Sequence, residues 1–330
     1  MTAAMQAVVG EALGDPSQYQ LTTVPRPEPG PGELLIEIEV AGLGYVDALI
    51  AAGRYQVKPT PPYCPGLEFS GRVAALGPDV SGFAVGDPVA ASAFGGGLAE
   101  YAVVPAPSAT ILPSTFDLTA AAGFIVNYTT AWHALLDRGA LRAGETLLVL
   151  GAAGGTGLAA IQVGRLAGAR VIAAASTAEK RSFAQAHGAH DTLDYTQPEW
   201  RKTLKAMTGG KGVDVVFDPV GGDLLEPAFR SLAWRGRYLV IGFTGGPIPS
   251  LPVNLALLKG SSLVGVDYRQ FGSVHEPDGA EAAQRELFAA ADRGDLKPVS
   301  GTCFPLTEFR EAMQLAASRD GCGKTCVRIR

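Results

Sequence analysis

The chain has 330 residues, 47% hydrophobic and 18% charged, so it has ample material for packed cores and does not read as a disordered segment. Its formal net charge of −5 argues against a nucleic-acid surface. Because single cores stop growing near ~250–300 residues, two domains are expected. The start, Met1 to Gln6, is too polar and short for a signal peptide. No apolar run reaches the ~18–20 residues that span a bilayer. The cysteines, Cys64, Cys303, Cys322 and Cys326, contain no C-x-x-C pair. That disfavours a disulfide framework or a structural zinc site and suits a reducing cytoplasm.

The first third reads as short strands broken by Pro and Gly. One begins at Ala7-Val8-Val9, and residues 24–32 form a stiff connector. In 33–40, Leu34, Ile36, Ile38 and Val40 alternate with Glu37 and Glu39, the mark of a half-buried strand. A short helix is expected at 47–52, an irregular Pro-rich segment at 59–66, and strands at 69–76, 88–93 and 99–105. This spacing predicts a small β-rich, barrel-like domain.

The pattern changes near Leu118. Residues 120–136 carry apolar side chains at helical intervals, and strand and helix then alternate. Strands are expected at 146–150, 170–175, 191–194, 213–218, 237–241 and 262–266, with helices at 178–187, 199–207 and 224–232. Such alternation predicts an α/β fold, a doubly wound parallel six-stranded sheet covered on both faces. A helix at 279–292 and further strand-like pieces end the chain, which is expected to return to the first domain. The expected domains are 1–126 with 267–330, and 127–266.

The stretch that organises the chain is 146–160. An apolar run ends at Leu150, the glycine-rich turn Gly151-Ala152-Ala153-Gly154-Gly155-Thr156-Gly157 follows, and helical spacing continues through Ile161, Val163 and Leu166. Strand, tight turn and helix in this order can hold a pyrophosphate. Glycines let the backbone approach the phosphates, and the helix start supplies free N–H groups and a positive dipole end. A dinucleotide is therefore expected here. The second strand of the sheet runs into Ser176-Thr177-Ala178-Glu179-Lys180-Arg181. A carboxylate at that tip would favour NADH, but the tip offers the hydroxyls of Ser176 and Thr177, with Lys180 one turn on. NADPH is therefore expected, unless Lys180 and Arg181 form only a solvated helix face.

Several stretches together resemble the zinc-free quinone oxidoreductase (zeta-crystallin-like) branch of the medium-chain dehydrogenase/reductase superfamily. They are 27–33, Pro65-Gly66-Leu67-Glu68-Phe69-Ser70-Gly71, Val85-Gly86-Asp87, 151–157, 210–222 and Gly323-Lys324. The resemblance implies a Rossmann sheet plus a GroES-like catalytic domain. It also implies a homodimer through the edge strand near 262–266. Carried over by position, it places Lys180, Tyr195 and Arg319 around the adenosine 2′-phosphate and Thr130 beside the nicotinamide. Gly154, Gly155, Val220, Gly221, Ile241, Gly242 and Phe243 are implied as further cofactor contacts. Tyr195 otherwise reads as an ordinary residue at a strand end.

The zinc-dependent relatives need an early thiolate and a His-Glu pair. Here Leu67 stands at the histidine position, and residues 41–47 hold no cysteine. No metal is therefore expected. Without a Lewis acid, hydride transfer needs a substrate that accepts it readily, such as a quinone or an activated α,β-unsaturated carbonyl. Its developing oxyanion then requires only hydrogen-bond donors and orientation. Tyr55, Tyr45 and Asp47 are the expected pocket residues. Tyr55 either donates to the carbonyl or packs under the 59–62 loop. Many relatives carry Asn where Gly44 stands, and Asn127 offers an alternative amide. Two other functions stay open: reduction of an enoyl thioester of the acrylyl-CoA type, and NADPH binding without turnover, as in a crystallin.

Overall fold

The computed structural model describes residues 3–113 and 116–330. The chain forms two compact units, Met1–Val126 with Pro298–Arg330, and Asn127–Lys297. In the second unit all six expected strands are present. Their spatial order is Asp191–Leu193, Arg170–Ala174, Thr146–Leu150, Val213–Asp218, Leu232–Val240, Ser262–Gly265, and every pairing is parallel. The chain winds one way from Thr146–Leu150 and the other way from Val213–Asp218. The order reverses between these two strands, and a sheet of this kind opens its ligand crevice at their carboxyl ends. Leu147 to Leu150 are fully buried, as a strand covered on both faces requires.

Differences from the expected boundaries have local causes. Leu232 fits a helical period, yet the helix stops at Phe229 and Leu232 pairs with Val213, opening a strand five residues early. Leu232 is buried in this arrangement, so its apolar side chain gains from sheet packing what the helix would have given. The expected helix 120–136 is divided into Leu118–Ala121, Ile125–Trp132 and a π-helical turn His133–Arg138. The break falls at Gly123, where a Cβ would lie 2.7 Å from Lys324 Cγ.

The first unit is a seven-stranded sheet beside a two-stranded hairpin, Ala4–Val9 with Gln20–Pro25. Along the sheet come Ser300–Pro305, Lys324–Arg328, Glu33–Leu43, Glu68–Leu76, Pro88–Ser92 and Ala109–Ile111, with Tyr101–Pro105 also on Glu33–Leu43. Leu34, Ile36, Ile38, Phe69, Phe309 and Met313 share its core. Gln20–Pro25 had no sequence signal because its residues are largely exposed and leave no apolar alternation. The helix Phe309–Ala317, where only strand-like pieces were expected, covers one face of the sheet through Phe309, Ala312 and Met313.

The chain returns to the first unit at Pro298, later than the expected 267. Residues 267–297 pack within the second unit. Phe271 stacks on His133 at 4.0 Å, and Arg138 Nε donates to Gly265 O at 3.3 Å. Buried Gln162 fixes the crossing. Its Nε2 donates to Lys297 O at 2.9 Å, while its Oε1 accepts from Lys297 N at 2.8 Å and from the Tyr128 hydroxyl at 3.0 Å. Gln162 thus holds the segments next to both chain crossings on one helix. Among the described residues no helix is long and apolar enough to cross a membrane. Replacing Gln162 by Leu leaves these partners unsatisfied, so urea unfolding should show a loss of about 1–3 kcal/mol.

Candidate functional site

The turn after Thr146–Leu150 is closed by backbone meeting backbone. Gly151 has φ +59°, and a Cβ on Gly157 would lie 2.4 Å from Gly151 O. Only glycine satisfies both positions. Gly154 caps the twelve-residue helix Gly155–Leu166 with no side-chain bond, so the first-turn amides face outward bare. Thr156 Oγ1 donates to Asn127 Oδ1 at 2.9 Å, and the Asn127 amide lies beneath Gly155, where a Cβ would come within 2.7 Å. Asn127 therefore supports the glycine turn through its Oδ1. A pyrophosphate fits this cradle, because backbone N–H groups and the helix dipole point at it with no side chain between.

At the next strand end, residues 175–180 and 194–195 emerge side by side. Leu193 pairs with Ala174, and Ala175 N donates to Leu193 O at 3.1 Å. This brings Ser176, Thr177 and Lys180 to the same corner as Tyr195. Thr177 caps the helix Ala178–Ala186 by accepting from Lys180 N at 3.2 Å. Lys180 is half-buried, whereas Glu179 is exposed. Arg181 does not join a solvated face: it folds back to donate to Ala175 O at 3.1 Å and pairs with Asp194 at 3.0 Å. Asp194 also accepts from Thr196 Oγ1 and N, bonds that hold its carboxyl below the usual range. The corner thus carries hydroxyls and a half-buried ammonium, and its nearby carboxylate is paired.

The expected contacts Val220, Gly221, Ile241, Gly242 and Phe243 lie on two adjoining turns at the carboxyl ends of Val213–Asp218 and Leu232–Val240. Ile241 N donates to Asp218 O at 3.0 Å, and Gly245 N to Val220 O at 2.7 Å. Gly221 has φ +64°, and its missing Cβ makes room for the Phe243 ring. Thr130 is half-buried on Ile125–Trp132. Arg319, by contrast, belongs to the first unit, exposed just after Phe309–Ala317.

In the first unit, Tyr45 is half-buried at the start of helix Tyr45–Ala51, and Tyr55 packs partly against the core. Asp47, expected as a pocket residue, is instead engaged with backbone amides. It is 2% exposed, its Oδ2 accepts from Gly44 N and its Oδ1 from Leu67 N, both at 2.8 Å. It fixes the turn that carries Tyr45. Burial pushes its carboxyl up, against the pull of Lys324 and of these backbone donors.

Sequence reasoning missed the ion pair beside it. Lys324 Nζ bonds Glu68 Oε1, and Glu68 Oε2 accepts from Val126 N at 3.0 Å. All three charged side chains are nearly inaccessible. Burial alone would lower the Lys324 pKa, but Glu68 and Asp47 outweigh it and hold the ammonium charged. The missed signal was a lysine inside the buried run Lys324-Thr325-Cys326-Val327, where a cation demands an anion. Cys64, pushed up to about 12 by burial, stays a thiol. Leu67 offers no donor atom in its side chain. Among the described residues, no group of three or more His, Cys, Asp or Glu is arranged to hold a metal.

Comparison with known proteins agrees with both units. Residues 30–114 match the alcohol dehydrogenase GroES-like domain, and 155–283 match the zinc-binding dehydrogenase family. The chain is 36% identical to quinone oxidoreductase-like protein 2 of Rattus norvegicus, over 98% of its own length and 92% of the relative's. The chain belongs to the zinc-free quinone oxidoreductase branch of the medium-chain dehydrogenase/reductase superfamily. Among solved structures, it resembles the quinone oxidoreductase of Thermus thermophilus, crystallised also as an NADPH complex, with TM-score 0.85 and 34% identity over 98% of this chain and 100% of that one. The Escherichia coli quinone oxidoreductase complexed with NADPH gives TM-score 0.90 at 26% identity over 99% and 100%.

Replacing Lys324 by Met would strand a buried carboxylate. The variant should lose about 3–5 kcal/mol in urea unfolding. An unchanged midpoint would show that Glu68 tolerates burial without its ammonium.

Proposed function

We propose that this chain is an NADPH-dependent, zinc-independent oxidoreductase that delivers a hydride to quinones or activated α,β-unsaturated carbonyls. The observation that carries the cofactor choice is the corner of Ser176, Thr177 and half-buried Lys180 beside Tyr195, where a 2′-phosphate finds donors and one cation. Relatives solved with NADPH support the same choice. Bound NADPH supplies the hydride. The glycine turn 154–157 holds its pyrophosphate, Lys180 and Tyr195 hold the 2′-phosphate, and Thr130 with the Val220 and Ile241–Phe243 turns orients the ring. Tyr55 and Tyr45 hydrogen-bond the substrate carbonyl and relay the proton that follows the hydride. Asp47 acts through Tyr45, by fixing its turn. Zinc independence is supported by the donor set: Leu67 cannot ligate, Asp47 is bonded to backbone amides, and Glu68 faces an ammonium. The thiols of Cys64, Cys303 and Cys326 favour a cytoplasmic setting.

The test is NADPH oxidation with 1,4-benzoquinone, 9,10-phenanthrenequinone, simple enones and acrylyl-CoA, with NADH in parallel, for the wild type and Lys180→Ala. Quinone or enone turnover with NADPH well ahead of NADH is expected. Lys180→Ala should raise KM for NADPH about tenfold or more, the loss of one charge-assisted phosphate contact, and leave NADH nearly unchanged. Turnover confined to acrylyl-CoA would move the substrate to enoyl thioesters, and binding without any turnover would make the chain an NADPH carrier.

We also propose a homodimer through the edge strand Ser262–Gly265. That strand is paired along only one side, and Leu257, Leu258, Leu263, Val253 and Ile248 stand exposed in and before it. Unpaired edges and apolar patches of this kind call for cover. Light scattering should give twice the chain mass for the wild type and the single-chain mass for a Leu257→Asp, Leu258→Asp variant.

A further inference from the structure

Asp218 ends the strand Val213–Asp218 and is 2% exposed. Its Oδ1 accepts from Val220 N at 2.7 Å and Gly221 N at 2.9 Å, and its Oδ2 accepts from Gly221 N at 3.1 Å and from the Tyr238 hydroxyl. Its backbone carbonyl accepts from Ile241 N at 3.0 Å and Gly242 N at 3.3 Å. One residue therefore holds two turns, 219–222 and 241–245. Thr244 laces them further, donating to Pro219 O through its N and its Oγ1, both at 3.1 Å. Tyr238 is fully buried on the neighbouring strand, with its ring 5.8 Å from that of Phe229, so its hydroxyl has a fixed position.

Strand pairing does not need this carboxylate. The ladder is already complete at Asp218 and Val240, and an ionisable group at a buried strand end is costly to keep. The donors it gathers lie instead on the turns that the cofactor reading assigns to the nicotinamide end. We propose that Asp218 and Tyr238 are a positioning couple that presets the Val220–Gly221 and Ile241–Phe243 turns against the nicotinamide ring, so that hydride transfer depends on them more than cofactor affinity does. This rests on the NADPH reading above. Affinity and ring geometry are separable because the pyrophosphate and the 2′-phosphate are held elsewhere, by the glycine turn and by the Lys180 corner. The two residues also act unequally. Without the Tyr238 hydroxyl, Asp218 keeps both backbone donors; an amide at 218 would set its own N–H groups against those of Val220 or Gly221.

The test uses the full-length wild type, Tyr238→Phe and Asp218→Asn. Three quantities are read: hydride transfer from NADPH to 9,10-phenanthrenequinone in a single turnover, NADPH affinity by fluorescence titration, and amide hydrogen exchange of the cofactor-free proteins. For Tyr238→Phe, transfer should slow about tenfold, within the ~100-fold that a 1 Å misplacement costs, while Kd stays within about twofold. Exchange at Val220, Gly221 and Ile241 should accelerate, with the strand Thr146–Leu150 unchanged. Asp218→Asn should give the same pattern, larger. Unchanged transfer despite faster exchange would overturn the proposal, as would a Kd that rises in step with the loss of rate. If the wild type binds no NADPH, the cofactor reading falls by itself; unaltered exchange in Tyr238→Phe would then overturn the clamp independently.

Discussion

The second unit depends on one close approach, between Gly151 and Gly157. With no Cβ on either, the backbone turns back on itself within seven residues and the helix Gly155–Leu166 starts directly above the strand end. That placement settles much that follows. Gly164 then lies on Leu147, where a Cβ would come within 2.6 Å of Cδ2, so helix and strand pack tightly. Thr156 meets Asn127, and one face of the same helix brings Gln162 to Tyr128 and Lys297. A single helix thus presents bare amides at its start and anchors the segments next to both chain crossings along its side. A larger residue at 157 would disturb the phosphate cradle and the crossings together.

Buried charge is used differently in the two units. In the first, Lys324 neutralises Glu68 and lies near Asp47, and the carboxylates hold backbone amides of Gly44, Leu67 and Val126. These bonds fix loops in a part of the chain built from short strands, where few helical or ladder bonds are available to do so. In the second, Asp218 meets no cation among the described residues and is satisfied by neutral donors, and burial pushes its carboxyl up against those hydrogen bonds. Both arrangements follow one rule: a buried carboxylate persists where several donors converge on it. Asp47 and Asp218 gather backbone amides beside turns, whereas Glu68 opens the strand Glu68–Leu76.

The parallel sheet was legible because its inner strands, Thr146–Leu150, Arg170–Ala174 and Val213–Asp218, are largely buried and read as nearly unbroken apolar runs. Periodicity failed where burial was partial. Gln20–Pro25 lies exposed in a hairpin, whereas Phe309–Ala317 carries Phe309, Ala312, Met313 and Ala316 at helical spacing, a signal that was present and passed over. Leu232 suited a helix and a strand equally, and its partner Val213 decided the matter. Among the site residues, Ser176, Thr177 and Lys180 were singled out from their place after a strand end and Tyr195 only from the resemblance, and the pairing of the two strands sets their ends side by side. Asp47 was expected as a pocket residue; its neighbours Gly44 and Leu67 make it a backbone anchor.

By itself the sequence determined the order of strand, glycine turn and helix, the six-stranded parallel sheet, the hydroxyls and cation at the second strand's tip, and the absence of a donor at Leu67. Each is a local property, set by spacing and side-chain chemistry within a few residues. Only the tertiary structure decided which distant groups meet: Lys324 with Glu68, 256 positions apart, Gln162 with Lys297, 135 apart, and Tyr238 with Asp218, 20 apart across neighbouring strands. No spacing rule encodes such pairs. They exist because a buried polar group must find its partner wherever the fold brings one within reach, and that search is resolved only when the chain is packed.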